Sequence, residues 1–177
     1  MQEIKGEFNV MKTVQLLKSE EFEIGTTDKN GHKLRQSDFV VTQDDFEGIS
    51  ICQILYNSIA KEFVAMSDSN WWIPYHDLSV ATERLDYVIA KEFLGLETCG
   101  TYWGKKRTPF IRMPIEYFNP VEESTFILEK LGRQYDDLLS IKENGFWYLT
   151  VNKKIYSEKL LGIAACLAAV DIVRNKK

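Results

Sequence analysis

Cys99 stands in the stretch "LETCGTYWGKKR", followed by a glycine and then by Lys105, Lys106 and Arg107. A thiol attacks as its thiolate, which needs a nearby base or a positive field. His76 is the nearest histidine in sequence, and Asp77 beside it is placed to orient an imidazole. Cys99, His76 and Asp77 are therefore the candidate catalytic set. The competing reading is that an unpaired cysteine is a small buried hydrophobe.

Two aromatic stretches offer binding instead of chemistry. In "SNWWIPYHDLS", residues 69 to 79, Trp71 and Trp72 are adjacent. In extended chain they point to opposite sides. Pro74 favours an extended Ile73, and Asp77 or Ser79 can cap a following helix. That accounts for one tryptophan as core. The other, with Tyr75 and His76, is a candidate binding patch. In "TYWGKKRTPF", residues 101 to 110, aromatics precede three cations. Trp103, Lys105, Lys106 and Arg107 suit stacking on bases with phosphate contacts, or the grip of an acidic partner. A basic hairpin tip that merely solubilises explains the same residues.

Acidic groups recur at Asp44, Asp45 and Glu47, at Glu83 and Asp86, and at Asp136 and Asp137. Paired carboxylates can move protons or hold Mg²⁺. Neighbouring acids on a helix diverge, so Asp136 and Asp137 read as a solvated face. Sequence motifs for phosphate-cradling loops, dinucleotide sites, zinc proteases, EF-hands and serine hydrolases are missing. Three cysteines and two histidines form no metal-ligand cluster. Neither a metal nor a cofactor is expected.

The chain that must position these residues has 177 of them, 45% hydrophobic and 12% aromatic. That suits one domain, 1–177, with a real core. A net charge of −4 argues against a globally basic nucleic-acid binder. Free thiols suggest a reducing compartment. The first residues lack the apolar core of a secretory signal. The longest apolar run, Leu160 to Val170, falls short of the roughly 20 residues a bilayer span needs. A cytoplasmic protein without membrane contact is expected.

Residues 8 to 18 have helical spacing. "DKNG" signals a turn between the strand-like "FEIGT" and "FVVTQ". Residues 47 to 57 are ambiguous between strand and helix, and the spacing favours helix from about 50 to 66. A loop spans 67 to 77. Ala81, Leu85, Val88, Ile89 and Phe93 then share one helical face over 78 to 95. Residues 99 to 118 read as a hairpin. Asn119 and Pro120 open a helix to 141 with a stripe of Phe126, Leu131, Tyr135, Leu138 and Leu139. "ENG" turns into the strand "FWYLTVN", and Ser157 caps a closing helix. "IAKEF" occurs twice, at 59 and at 89, too short a match to establish a repeat.

The closing "LLGIAACLAAVDIV" is apolar nearly all round and rich in small residues, as a helix buried at the centre of a domain would be. It is similar to the closing helix of the tubby-like barrel group, which includes LURP-one and scramblase-like domains. The resemblance covers that helix alone. Helices at 78 to 95 and 120 to 141 depart from a closed barrel of strands, so no lipid-related function is carried over.

The resulting expectation is an α+β single domain. It has a small antiparallel or mixed sheet, about four to five packed helices and a buried C-terminal helix. Its expected role is a small soluble intracellular binding or regulatory protein, acting through the aromatic and basic surface. The expected partner is another protein, with nucleic acid possible through 103–107 and a homo-oligomer allowed. An enzyme using Cys99 and His76 or an acidic site is the first alternative. A nucleic-acid-associated or mobile-element protein is the second.

Overall fold

The structure, a computed structural model, describes residues 23–44, 48–68, 71–99, 102–105, 108–114 and 118–175, with the backbone alone at 44, 99, 102, 105 and 108–114. The helix expected over 8 to 18 lies outside the described residues. The described chain is a mixed α+β structure in which strands predominate. All its paired strands are antiparallel.

The "DKNG" turn joins β1 (Glu23–Thr27) to β2 (Lys33–Arg35). The partner of β1 is thus "KLR", not the "FVVTQ" expected. That segment, β3 (Phe39–Asp44), pairs with β4 (Gly48–Asn57) in a five-stranded sheet of order β6-β5-β4-β3-β7. Its other strands are β5 (Glu62–Met66), β6 (Trp72–Ile73) and β7 (Thr82–Arg84).

The helix expected from 50 to 66 is therefore a hairpin, and 47 to 57 contains a strand. Burial on both faces is the reason. Ile51 turns with Val41 toward one core, while Cys52 and Ile54 turn with Val40 toward the other. A strand covered on both sides loses the alternation that would have identified it.

The helix expected over 78 to 95 is interrupted. It comprises α1 (Leu78–Ala81), β7, a helical turn α2 (Leu85–Tyr87) and a π-helix (Val88–Phe93). The Thr82 hydroxyl donates to the Leu78 carbonyl (2.6 Å), and Thr82–Arg84 then pairs with β3. Asp77 makes no side-chain cap.

β8 (Glu97–Cys99), β9 (Tyr102–Lys105) and β10 (Thr108–Pro114) form a second meander. Asn119 does not cap the helix: its Oδ1 accepts from the Val121 N–H (3.1 Å) in the turn before it, and the N-cap position falls to Ser124, which makes no side-chain cap. Regular helix, α3, runs only over Thr125–Gln134. The residues expected to continue it enter β11 (Leu139–Glu143), which pairs with β12 (Phe146–Val151) and, beyond it, β13 (Lys154–Glu158). Ile127 and Leu131 are buried there, whereas Phe126 and Leu139 are exposed.

The last helix, α4 (Leu161–Asn175), is buried along most of its length and packs on β4, β12, β13 and the π-helix. Its small residues permit that contact. A Cβ on Gly162 would collide with the Val121 carbonyl. Among the described residues no helix is long and apolar enough to cross a membrane.

Candidate functional site

Asp28 opens the β1–β2 turn and is almost fully buried. Its Oδ1 accepts from the backbone N–H groups of Asn30 (2.9 Å) and His32 (2.8 Å). Its Oδ2 accepts from the Arg84 N–H (2.8 Å) and lies 3.1 Å from His32 Nδ1. Burial pushes this carboxyl up, but the bonds from Arg84 and His32 outweigh it and hold it below the ordinary value. A carboxylate only accepts, so the proton of a neutral His32 ring sits on Nδ1 and leaves Nε2 as an acceptor. Nε2 has no hydrogen-bond partner among the described residues.

The His32 ring stacks on Tyr87 with centroids 3.7 Å apart and planes at 23°. The Arg84 guanidinium lies 5.2 Å from the Tyr87 centroid, and Trp103 meets Tyr87 edge-on at 5.0 Å. Arg84 is itself fixed. Its Nε and Nη2 donate to the two Asp86 oxygens (3.1 and 2.7 Å), and Nη1 donates to the Lys33 carbonyl. Burial works against its charge, yet Asp86 and Asp38 beside it keep it cationic.

His32 and Tyr87 line an open cleft of about 1580 Å³, where the β1–β2 turn, the π-helix, β9, α3 and α4 meet. Val88, Phe93, Leu96 and Trp103 supply its apolar lining. Glu83 ties the wall together. It takes Lys29 at 2.9 Å and Arg174 at 2.9 Å, and Arg174 also reaches Glu92 at 3.4 Å. Lys130 donates to the Phe93 carbonyl and lies over that residue's ring. Lys91, on the π-helix, is exposed and has no carboxylate within ion-pair distance among the described residues.

Two local irregularities coincide here. The π-helix lets Leu94 N–H reach the Ile89 carbonyl and Leu96 N–H the Ala90 carbonyl, both at 2.8 Å. Such widened turns are uncommon and occur often at functional sites. Trp103 is 1% exposed, and its indole N–H has no acceptor among the described residues. A buried donor without a partner costs about 1–3 kcal/mol.

The residues singled out from sequence are dispersed. Trp71 packs against the core on the β1–β2 side of the five-stranded sheet, and Tyr75 donates from its hydroxyl to the Ile24 carbonyl (3.1 Å). Trp72 is 48% exposed on the edge strand β6. His76 is exposed, with Nε2 3.5 Å from Asp77 Oδ2. None of these lines the cleft. Trp103 does line it, as buried wall and not as an exposed stacking surface. The side chains of Cys99 and Lys105, and all of Lys106 and Arg107, lie outside the description.

Burial pushes the Cys52 thiol up to about 12 and raises that of Cys166, so neither is a ready thiolate. Among the acid pairs, Glu83 and Asp86 face separate cations, and Asp137 caps the β12–β13 turn through the N–H groups of Asn152 and Lys153. No group of three metal-ligating side chains occurs among the described residues. The signal that marks His32 was present in "DKNGH": an aspartate four residues before a histidine across a tight turn. Comparison with family models, with curated proteins and with solved structures found no match to the chain.

Proposed function

We propose that this chain is a binding or regulatory protein of one domain, residues 1–177, whose ligand enters the cleft beside the π-helix. The observation that carries this reading is the coincidence in one cleft of a π-helix and a fixed His32–Tyr87 stack braced by Trp103. Widened helical turns recur at functional sites, and a stack fixed in advance lowers the cost of binding. Buried thiols at Cys52 and Cys166 suit a cytoplasmic setting.

Thr98 is exposed at the cleft, so Thr98→Trp narrows the cleft without removing a buried contact. A small-molecule library screened by thermal shift tests the reading. A ligand at a hundredfold excess over its Kd adds about 2.7 kcal/mol, a rise of about 5–10 °C in Tm. At least one compound should stabilise the parent chain and not the variant. If every stabilising compound acts equally on both, the cleft is not the site.

The Asp28–His32 pair favours a second reading, an enzyme. Its base would be His32 and not His76, since a buried carboxylate fixes the ring of His32 and leaves Nε2 to accept a proton. Turnover of any substrate found should then vanish in His32→Gln.

A further inference from the structure

We infer that the cleft takes a planar aromatic ring bearing one anionic group. This rests on the reading of the cleft as a ligand site and names what that ligand is.

The argument for planarity starts from the His32 ring. One face stacks on Tyr87, and Asp28 holds the Nδ1 edge, so the ring cannot turn. Tyr87 is braced edge-on by Trp103, and Arg84 lies against its ring. The stack is therefore rigid before anything binds. About 30% of the His32 side chain is exposed, and the residue lines the cleft. A flat ring laid on it extends the stack without ordering any protein side chain, which removes a usual cost of binding. A saturated ring of the same size has no π-face to offer.

The argument for one negative charge starts from the ion pairs. Glu83 and Glu92 are engaged by Lys29 and Arg174, and Lys130 is occupied at Phe93. Lys91 lines the same cleft with its ammonium uncommitted among the described residues. One anionic group on the ring gives that ammonium a partner.

Isothermal titration with three probes separates these features. Naphthoate is planar and anionic, decahydronaphthoate is anionic but puckered, and naphthamide is planar but neutral. Naphthoate should bind about tenfold tighter than decahydronaphthoate, the low end of what aromatic stacking supplies. It should bind about threefold tighter than naphthamide, as one exposed ion pair allows. Lys91→Gln should erase the second preference only. His32→Ala should erase the first, and His32→Phe, which keeps a flat ring, should restore it.

Equal affinity for naphthoate and decahydronaphthoate would overturn the ligand class and leave the cleft reading standing. So would no binding of naphthoate at millimolar concentration, provided library compounds still distinguish the parent chain from Thr98→Trp. Naphthoate binding undiminished in Thr98→Trp would overturn both.

Discussion

Asp28 and Asp38 flank the same short strand, β2, and their surroundings drive them in opposite directions. Asp28 has four donors and stays ionised. Asp38 accepts from the Arg35 N–H (2.9 Å), while its nearest approach to Arg84 Nε is 3.8 Å. Burial lifts its carboxyl to about 6 against the pull of Arg84. A raised carboxyl binds its proton more tightly in the folded chain than in the unfolded one. Stability from this group is therefore present below about pH 4, the unfolded value, and is lost as pH rises toward 6. Asp28, Glu83 and Asp171 are held low and work the other way, losing their contribution as pH falls below about 4. Asp38→Asn keeps an acceptor for the Arg35 N–H. It should lessen the decline between pH 4 and 6, to which the raised carboxyls of Asp86 and Glu158 also contribute, and raise stability at pH 7 by up to about 3 kcal/mol. Urea midpoints across that range check it, and an unchanged slope would show that Asp38 titrates normally.

The twin "IAKEF" segments show what an element adds to its residues. In the first, Asn57 Oδ1 accepts from the N–H groups of Ile59 (2.9 Å) and Ala60 (3.1 Å). Lys61 takes a left-handed φ of 59°, and the chain turns into β5. In the second, no turn residue intervenes, and Gly95 at φ 70° ends the π-helix only after Phe93. Ile59 is 92% exposed, while Ile89 is at 0% in the main core. Ile89→Ala should cost about 3 kcal/mol, and Ile59→Ala less than about 0.5 kcal/mol. Equal losses by chemical denaturation would contradict this account. The same contrast explains what periodicity could find. α4 and β12 were legible because each keeps one pattern along its length. β4 was not, because two cores cover it, and β11 was not, because its five residues are all exposed.

At the scale of the molecule, the five-stranded sheet divides two hydrophobic clusters, with α4 and the π-helix on one side and the β1–β2 hairpin on the other. The cleft lies where the edges of these layers meet, so its residues come from positions 29 to 174. Spacing in the sequence carries little of that convergence. Reading by neighbourhood favoured His76 beside the tryptophans, whereas tertiary packing brings His32 to Tyr87 across 55 positions of chain. Of the aromatic stretch "SNWWIPYHDLS", Trp72 is the large apolar side chain left exposed.

The chain has two histidines, and the cleft and the aromatic loop hold one each. Their imidazole proton resonances, followed by NMR during titration with naphthoate, decide between the two surfaces. The account predicts that the His32 signals shift in a saturable way, upfield from the added ring, while those of His76 stay in place. Shifts at His76 with His32 unmoved would put the binding surface on the aromatic loop and contradict the cleft as the site.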